Sequence, residues 1–223
     1  MYLFPQYKHI VNPKLKHVYL SFDEEGLLII KSSKISTKQI EQLLLKKSSW
    51  IQASQKKIHD KKGKAIAFNK KPIFYYLGKS YSIDLIKHQK KRTIHSFHDN
   101  ILTIHYSVYD ESIFQKHIDL FYKNEAQKYL PILVKQWSIR MNLSYMKISF
   151  RKTKRQWGSC SSNNHLSFNT MMMKLPKNVI EYIIVHELAH IEYKHHQKDF
   201  WKLVEQYLPN YKETVKILKQ FTT

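Results

Sequence analysis

The sequence predicts an α+β protein. A β-rich N-terminal half (residues 1–108) with one helix is expected to pack on a helical C-terminal half (residues 109–223) with a small antiparallel sheet. Apolar and polar residues alternate with the period of a strand in the first third of the chain, around turns at Gly26 and Gly78. After Asp110 the apolar period becomes that of a helix. No flexible linker separates the halves.

Composition indicates a folded protein in the cytoplasm. The chain has 223 residues, 43% of them apolar, so it can bury a core. It contains no run of about 18 apolar residues that could span a membrane, and its start lacks a signal-peptide pattern. The single cysteine, Cys160, excludes an intramolecular disulfide.

The net charge of +21 has two interpretations. A basic protein attracts polyanions, and nucleic acid is the most plausible of them. However, almost all the basic residues are lysines, in a chain rich in Ile, Asn and Tyr, as an AT-rich genome would produce. Arginine, which is preferred for bidentate phosphate contacts, is scarce. Nucleic acid is therefore a possible partner, and both interpretations stay open.

Four strands and a helix are predicted in the N-terminal half, besides a short strand ILTIHYS at its end. HVYLSF and GLLIIKSS form a hairpin that turns at Gly26. Ser36 or Thr37 caps the following helix, supported by Gln39 three residues after Ser36. Two further strands flank Gly78 in KPIFYYLGKSYSIDLIKH.

The C-terminal half begins with a long helix that runs to about Met141, with Pro131 as a kink or a boundary. MKISFRKT and HLSFNTMMM are predicted strands, linked by the turn region WGSCSSNN. Pro176 opens a helix that runs into the sequence HELAH. A helix around KDFWKLVEQY is stopped by Pro209, and a last amphipathic helix follows.

The sequence HELAH indicates a zinc site. Residues four apart on a helix differ by about 40° in azimuth and about 6 Å in height, so His186 and His190 can bind one ion. Glu187 lies outside that pair and can reach a water on the metal, as the base of an HExxH peptidase does. The pattern alone is short, but the apolar turns before it predict a buried helix, where unpaired histidines would be costly. The structural alternative is a solvent-facing histidine pair with Glu187 in a surface ion pair.

A catalytic zinc needs a third protein ligand. His195 and His196 follow closely, and Glu205 is an acidic alternative one helix later. If the helix continued past His190, His196 would lie on its far side, so that ligand requires the helix to end near residues 192–194. Spacing alone leaves all three candidates open.

The segments WGSCSSNNHLSFN and VIEYIIVHELAHIEYKHHQKDFW resemble the YgjP-like metallopeptidases, relatives of the SprT-like zinc proteases. VYLSFDEEGLLIIKSS and YYLGKSYSI extend the resemblance over nearly the whole chain. It implies a zincin-like C-terminal domain and assigns His196 as the third ligand, beside His186 and His190, with Glu187 as general base. One departure is Gln156, where the family pattern leads us to expect arginine.

The leading hypothesis is a zinc-dependent metallopeptidase with one Zn²⁺ per chain, acting on peptides or loosely folded protein segments. The alternative is a nucleic-acid-associated module with structural zinc and no turnover, or a protease that acts on DNA-bound proteins. A structural site has no use for Glu187, so that residue discriminates between them.

Three other segments carry weaker hypotheses. Cys160 is better explained as a small filler than as a nucleophile, since nothing indicates a lowered thiol pKa. The strand HLSFN could offer an edge to an extended substrate, or be a core strand. Residues 151–155 are the best candidate for contacting nucleic acid near the active site, or else a solvated strand and turn.

Overall fold

A computed structural model describes residues 5–23, 26–61, 63 and 66–222. The α+β class is confirmed. The chain divides into two compact units, Met1–Lys61 and Lys62–Thr223. Residue 108, where the sequence predicts a domain boundary, lies within the second unit.

The first unit contains a three-stranded sheet and two helices. Its elements are β1 (Tyr7–Val11), β2 (Tyr19–Phe22), β3 (Leu28–Ser32), α1 (Thr37–Lys46) and α2 (Ser48–His59). The predicted hairpin is β2–β3, and Gly26 near its turn has a φ of +90°. Glu24 and Glu25, also in that predicted turn, lie outside the described residues. β1 adds parallel to β3 and was not predicted.

The helical segment of the first unit is two helices rather than the single one predicted, because α1 ends before Lys47 and α2 begins after it. Ser36 is the N-cap of α1: its hydroxyl accepts from the Gln39 amide, and the Gln39 side chain accepts from the Ser36 amide. These helices and β3 share a small core of buried side chains: Leu28, Ile30, Ile40, Leu44 and Ile51.

The second unit opens with a four-stranded sheet in the order β4-β5-β7-β6. Its strands are β4 (Ile73–Tyr76), β5 (Lys79–Lys87), β6 (Ile94–His98) and β7 (Ile101–Tyr106). Gly78 turns β4 into β5 with a φ of +84°, and a Cβ there would lie 2.8 Å from the Cα of Pro176. The strand β6 was missed because its two apolar residues, Ile94 and Phe97, are three positions apart and do not alternate with the period of a strand.

A 31-residue helix, α3 (Glu111–Met141), packs against this sheet. The Asp110 carboxylate caps it by accepting from the amides of Ser112 and Ile113. Pro131 lies inside the helix, so of the two alternatives predicted for it, a kink or a boundary, the boundary is wrong. The turns on both sides bury Ala126, Leu130 and Val134 in the core, and this packing offsets the missing hydrogen bond.

The small sheet of the second unit is mixed rather than antiparallel. Its order is β8-β10-β9, with β8 (Lys147–Arg151), β9 (Gly158–Cys160) and β10 (His165–Asn169). β10 pairs antiparallel with β9 but parallel with β8. The predicted WGSC turn therefore contributes a strand. β10 is central, so of the two alternatives for HLSFN the core strand is confirmed and the sheet edge is wrong.

Three helices complete the second unit: α4 (Lys177–Glu192), α5 (Lys198–Tyr207) and α6 (Tyr211–Leu218). A 3₁₀ turn, Thr170–Lys174, buries the three consecutive methionines between β10 and α4. α4 is buried over most of its surface and packs on α3, β9, α5 and α6. Within the described part of the chain, no helix is both long and apolar enough to cross a membrane.

Candidate metal centre

The last turns of α4 carry two histidines on one face. The ring centroids of His186 and His190 are 5.0 Å apart, as expected for residues one turn apart. The helix ends at Glu192, and Tyr193 has an extended backbone that turns the chain away from the helix axis. This is the end near residues 192–194 that a ligand at position 196 requires.

The returning segment brings His196 against both histidines of the helix. Its ring centroid lies 4.9 Å from that of His186 and 4.5 Å from that of His190. The indole of Trp201 donates a 3.1 Å hydrogen bond to the His196 carbonyl, and the ring of Phe200 is buried beneath the three imidazoles. The start of α5 thus holds His196 in place.

The three imidazoles have the dimensions of a metal site. The Nε2 atoms of His196 and His186 are 3.0 Å apart, and one nitrogen from each of the three rings lies within 4.8 Å of the others. Two nitrogens bound to one tetrahedral Zn²⁺ would be about 3.3 Å apart. Among the described residues, this is the one group of three or more His, Cys, Asp or Glu side chains placed so closely.

The competing third ligands do not join this group. His195 is exposed, and its side chain is not among the clustered nitrogens. The carboxylate of Glu205 lies 3.5 Å from the Lys212 ammonium in an exposed ion pair on the far part of α5. His165, at the start of β10, is also outside the cluster.

Burial keeps the helical histidines in the neutral form that binds metals. It lowers the pKa of His186 to about 3, with further lowering from the charges of His190 and His196. The pKa of His190 is lowered for the same first reason. Because a carbonyl only accepts, the 2.9 Å bond between His190 Nδ1 and the Tyr193 carbonyl places the proton on Nδ1. Its Nε2 lone pair is then available for a cation.

Glu187 lies between the histidine cluster and the sheet. Its side chain is only 6% exposed, and burial raises its pKa to about 8. A Cβ built on Gly158 would lie 2.7 Å from Glu187 Cγ and 2.8 Å from Oε1. The absence of a side chain at position 158 is therefore what allows this carboxyl group to pack against β9.

An open cleft of about 300 Å³ joins these groups. The residues that line it are Gln156, Gly158, Ser159, Cys160, His186, Glu187, His190, Lys194 and His196. The Cys160 thiol faces the cleft, but burial raises its pKa, and this outweighs the lowering by Lys194. A raised thiol pKa disfavours a nucleophilic cysteine, in agreement with its interpretation as a filler.

The sequence matches a family model described as YgjP-like, metallopeptidase domain, over residues 16–221. The chain belongs to this family. The resemblance identified from the sequence is thereby confirmed, and with it a metallopeptidase function, which depends on a metal ion. No protein with a curated description matches the chain.

Two solved structures are similar to part of this YgjP-like chain. One is the metallopeptidase zymogen of Methanocaldococcus jannaschii jannalysin, with 23% identity and a TM-score of 0.37, covering 40% of this chain and 94% of that one. The other is the metallopeptidase zymogen of Pyrococcus abyssi abylysin, with 21% identity and a TM-score of 0.35, covering 39% of this chain and 86% of that one.

One residue that shapes the YgjP-like site, Asn169, was given no role from the sequence. The buried Asn169 amide donates to the carbonyls of Thr153 and Gln156, and its oxygen accepts from the Met171 amide. It thus ties the loop before β9 to the segment before α4. Its position at the end of HLSFN was visible, but the partners were not. Gln156, the departure from the family pattern, lines the cleft.

Proposed function

We propose that the chain is a zinc-dependent peptidase in which His186, His190 and His196 hold one Zn²⁺ and Glu187 is the general base. The observation that carries this proposal is the meeting of three imidazoles beside a buried carboxyl group in an open cleft. The family supports peptide-bond hydrolysis with a metal ion. The choice of zinc follows from the ligands, because an all-imidazole set suits Zn²⁺.

The donor set favours a catalytic rather than a structural zinc. Structural sites are usually closed by four protein ligands, whereas catalytic sites keep three and leave one position open. Among the described residues, no fourth His, Cys, Asp or Glu side chain joins the three imidazoles. Cys160 lines the same cleft but is not part of the group. This argues against the alternative of a zinc-binding module without turnover.

The chain's own groups divide the remaining work. Bound Zn²⁺ would supply the Lewis acidity that acidifies water and polarises the scissile carbonyl. Glu187, next to the first ligand, would take a proton from the attacking water and deliver it to the leaving amine. Gly158 holds space for that carboxyl group, and His190 is oriented by its bond to the Tyr193 carbonyl.

The substrate is proposed to be an extended peptide segment that pairs with β9. The backbone N–H of Asn169 donates to the Trp157 carbonyl, and the backbone N–H of Ser161 donates to the His165 carbonyl. In an antiparallel pair, every second residue of a strand directs its backbone N–H and C=O at the partner strand. Trp157 and Ser161 bond to β10 in this way, so the backbone groups of Gly158 and Cys160 point away from β10. β9 is a sheet edge on the cleft, and such an edge can accept a peptide as an added strand.

Metal analysis and a proteolysis assay on the same preparations test the proposal. The wild type is expected to hold one equivalent of zinc and to cleave an unfolded protein. Glu187→Gln keeps the metal and loses cleavage, because the amide cannot accept the proton. A fully active Glu187→Gln variant would remove the mechanism.

The matched pair His196→Ala and His195→Ala tests the third ligand in the same assay. Loss of zinc is expected from His196→Ala, because its imidazole lies within the cluster, and not from His195→Ala, whose side chain lies outside it. The reverse ranking would reassign the ligand.

Nucleic-acid association is a second candidate, favoured by the solvent face of the small sheet. The side chains on this face, opposite the buried Leu166 and Phe168, that reach solvent are Lys147, Ser149, Arg151, Ser159 and His165. The Ser167 hydroxyl and Asn169, on the same face, are buried. None is acidic, and the Arg151 guanidinium donates to the Ser159 hydroxyl across β10. DNA binding measured at increasing salt concentration tests this role, because the affinity should fall steeply. The proteolysis assay is run with and without DNA. If no DNA binds even at low ionic strength, the net positive charge is explained by compositional bias alone.

A further inference from the structure

A lysine is held at one end of the candidate cleft by two neutral oxygens. Lys194 follows α4, and its Nζ donates to Asn164 Oδ1 at 2.6 Å and to the Ser161 carbonyl at 3.2 Å. It also lies 4.0 Å from the Cys160 sulfur. Asn164 is itself fixed: its amide donates to the Ser161 carbonyl, and its carbonyl accepts from the Met146 amide. The ammonium is therefore positioned by the fold.

The charge of Lys194 has no counter-ion among the described residues. Within the described part of the chain, no carboxylate lies within 4.0 Å of this ammonium. An ammonium has three donors: two go to the oxygens, and the third is directed at the Cys160 sulfur, a weak acceptor. Of the residues that line the cleft, Lys194 is the one Lys or Arg. The positive charge thus remains available to an anionic group in the cleft, which can replace the weak sulfur acceptor.

The position of this charge relative to Glu187 is given by β9. Gly158, at one end of the strand, contacts Glu187, whereas Cys160 and Ser161, at the other end, contact Lys194. Two residues along a strand span about 7 Å. A peptide that pairs with β9 therefore has a side chain near Lys194 when its scissile bond is near Glu187.

We propose that Lys194 is a specificity-determining residue that selects an acidic side chain about two residues from the cleaved bond. The inference rests on the proposed peptidase function and names its substrate class: peptides with aspartate or glutamate on one side of the scissile bond. Lys194 takes no part in the reaction itself. Since exposed ion pairs are weak, the preference for acidic over neutral residues is about threefold to fivefold.

A peptide library cleaved by the zinc-loaded full chain tests this, with mass spectrometry of the products. The wild type should enrich Asp and Glu at one position, and Lys194→Glu should exchange this for Lys and Arg. The control is Lys177→Glu, which makes the same change in net charge at the other end of α4, about 20 Å from His190. It should keep the acidic preference. A library without acidic preference, or a Lys194→Glu profile equal to the wild type, overturns the inference.

A binding measurement separates this inference from the proposed function. Glu187→Gln, loaded with zinc, should bind an acidic library peptide about threefold to fivefold more tightly than its neutral amide analogue. Adding Lys194→Glu to this variant should reverse the order. If the wild type cleaves nothing but this reversal is seen, hydrolysis is refuted and the charge-selective cleft stands. If cleavage occurs and the reversal is absent, the inference on Lys194 is refuted alone.

Discussion

Gly158 sets the position of the proposed general base at the scale of a single residue. A Cβ there would lie within 3.0 Å of three atoms of the Glu187 side chain, closer than carbon atoms normally approach. The carboxyl group can therefore lie where it does only beside a residue without a side chain. The backbone φ of Gly158 is not in the left-handed region, so space rather than conformational freedom is what demands glycine.

Gly158→Ala is expected to reduce kcat by on the order of 100-fold while leaving the zinc content unchanged. The added methyl group displaces the Glu187 carboxyl group, because the three atoms nearest to it all belong to that side chain rather than to a histidine. Steady-state kinetics with metal analysis measures both. Ser159→Ala, one residue along β9, is the control and should stay within a few-fold of the wild type. An unimpaired Gly158→Ala variant would show that Glu187 is not held by this contact.

At the scale of the element, the residue at which a helix begins or ends determines where the neighbouring segment of the chain lies. The end of α4 at Glu192 lets the chain return with His196, and the break at Lys47 separates α1 from α2. α1 begins at a capping box formed by Ser36 and Gln39, in which two backbone amides find side-chain partners. Thr37, the other candidate cap, is the first residue of the helix.

Ser36→Ala is expected to destabilise α1 by about 1 kcal/mol, because it leaves the Gln39 amide without its acceptor. Hydrogen exchange of the α1 amides measures the local effect: exchange should be about fivefold faster. Thr37→Ala is the matched control, since it removes a hydroxyl one residue later. Equal effects of the two substitutions would contradict the assignment of Ser36 as the cap.

At the scale of the whole molecule, the Lys174 side chain connects segments of the second unit that are distant in sequence. Its ammonium donates to the Gly63 carbonyl at 2.7 Å, and the Thr222 hydroxyl donates to the same carbonyl at 2.9 Å. The side chain is 8% exposed. Burial lowers its pKa to about 8, with a further decrease from Lys152 and an opposing effect from Asp119. A buried cation is thus retained near neutral pH at a cost in stability.

The free energy of unfolding should rise between about pH 8 and pH 10.5 through this group. In that range the folded chain has released the Lys174 proton, whereas the unfolded chain still binds it. Relative to Lys174→Met, which lacks the titration, the wild type should gain on the order of 2 kcal/mol. Chemical denaturation of both proteins at pH 7.5 and pH 10 measures this difference. A constant difference between them would show that Lys174 does not titrate in this range.

Much of the fold could be predicted because its signals are local. The hairpin at Gly26, the cap at Ser36 and the long helix after Asp110 follow from periodicity and turn chemistry. The strand β1 and the parallel pairing of β8 with β10 could not, because each depends on a partner distant in sequence. The strand β6 forms a local hairpin with β7 and was missed for another reason: its apolar residues Ile94 and Phe97 do not alternate.

The sequence by itself determined the family, the α+β class and the candidate residues His186, Glu187, His190 and His196, since helical spacing and a block of motifs lie in the order of the residues. Only the tertiary structure decided what surrounds them: Gly158 against Glu187, Lys194 at the end of the cleft, and β9 rather than β10 as the sheet edge. The first two are contacts between segments about 30 residues apart, and the third depends on the order of strands in a sheet; packing and strand pairing set all three, rather than any periodic pattern.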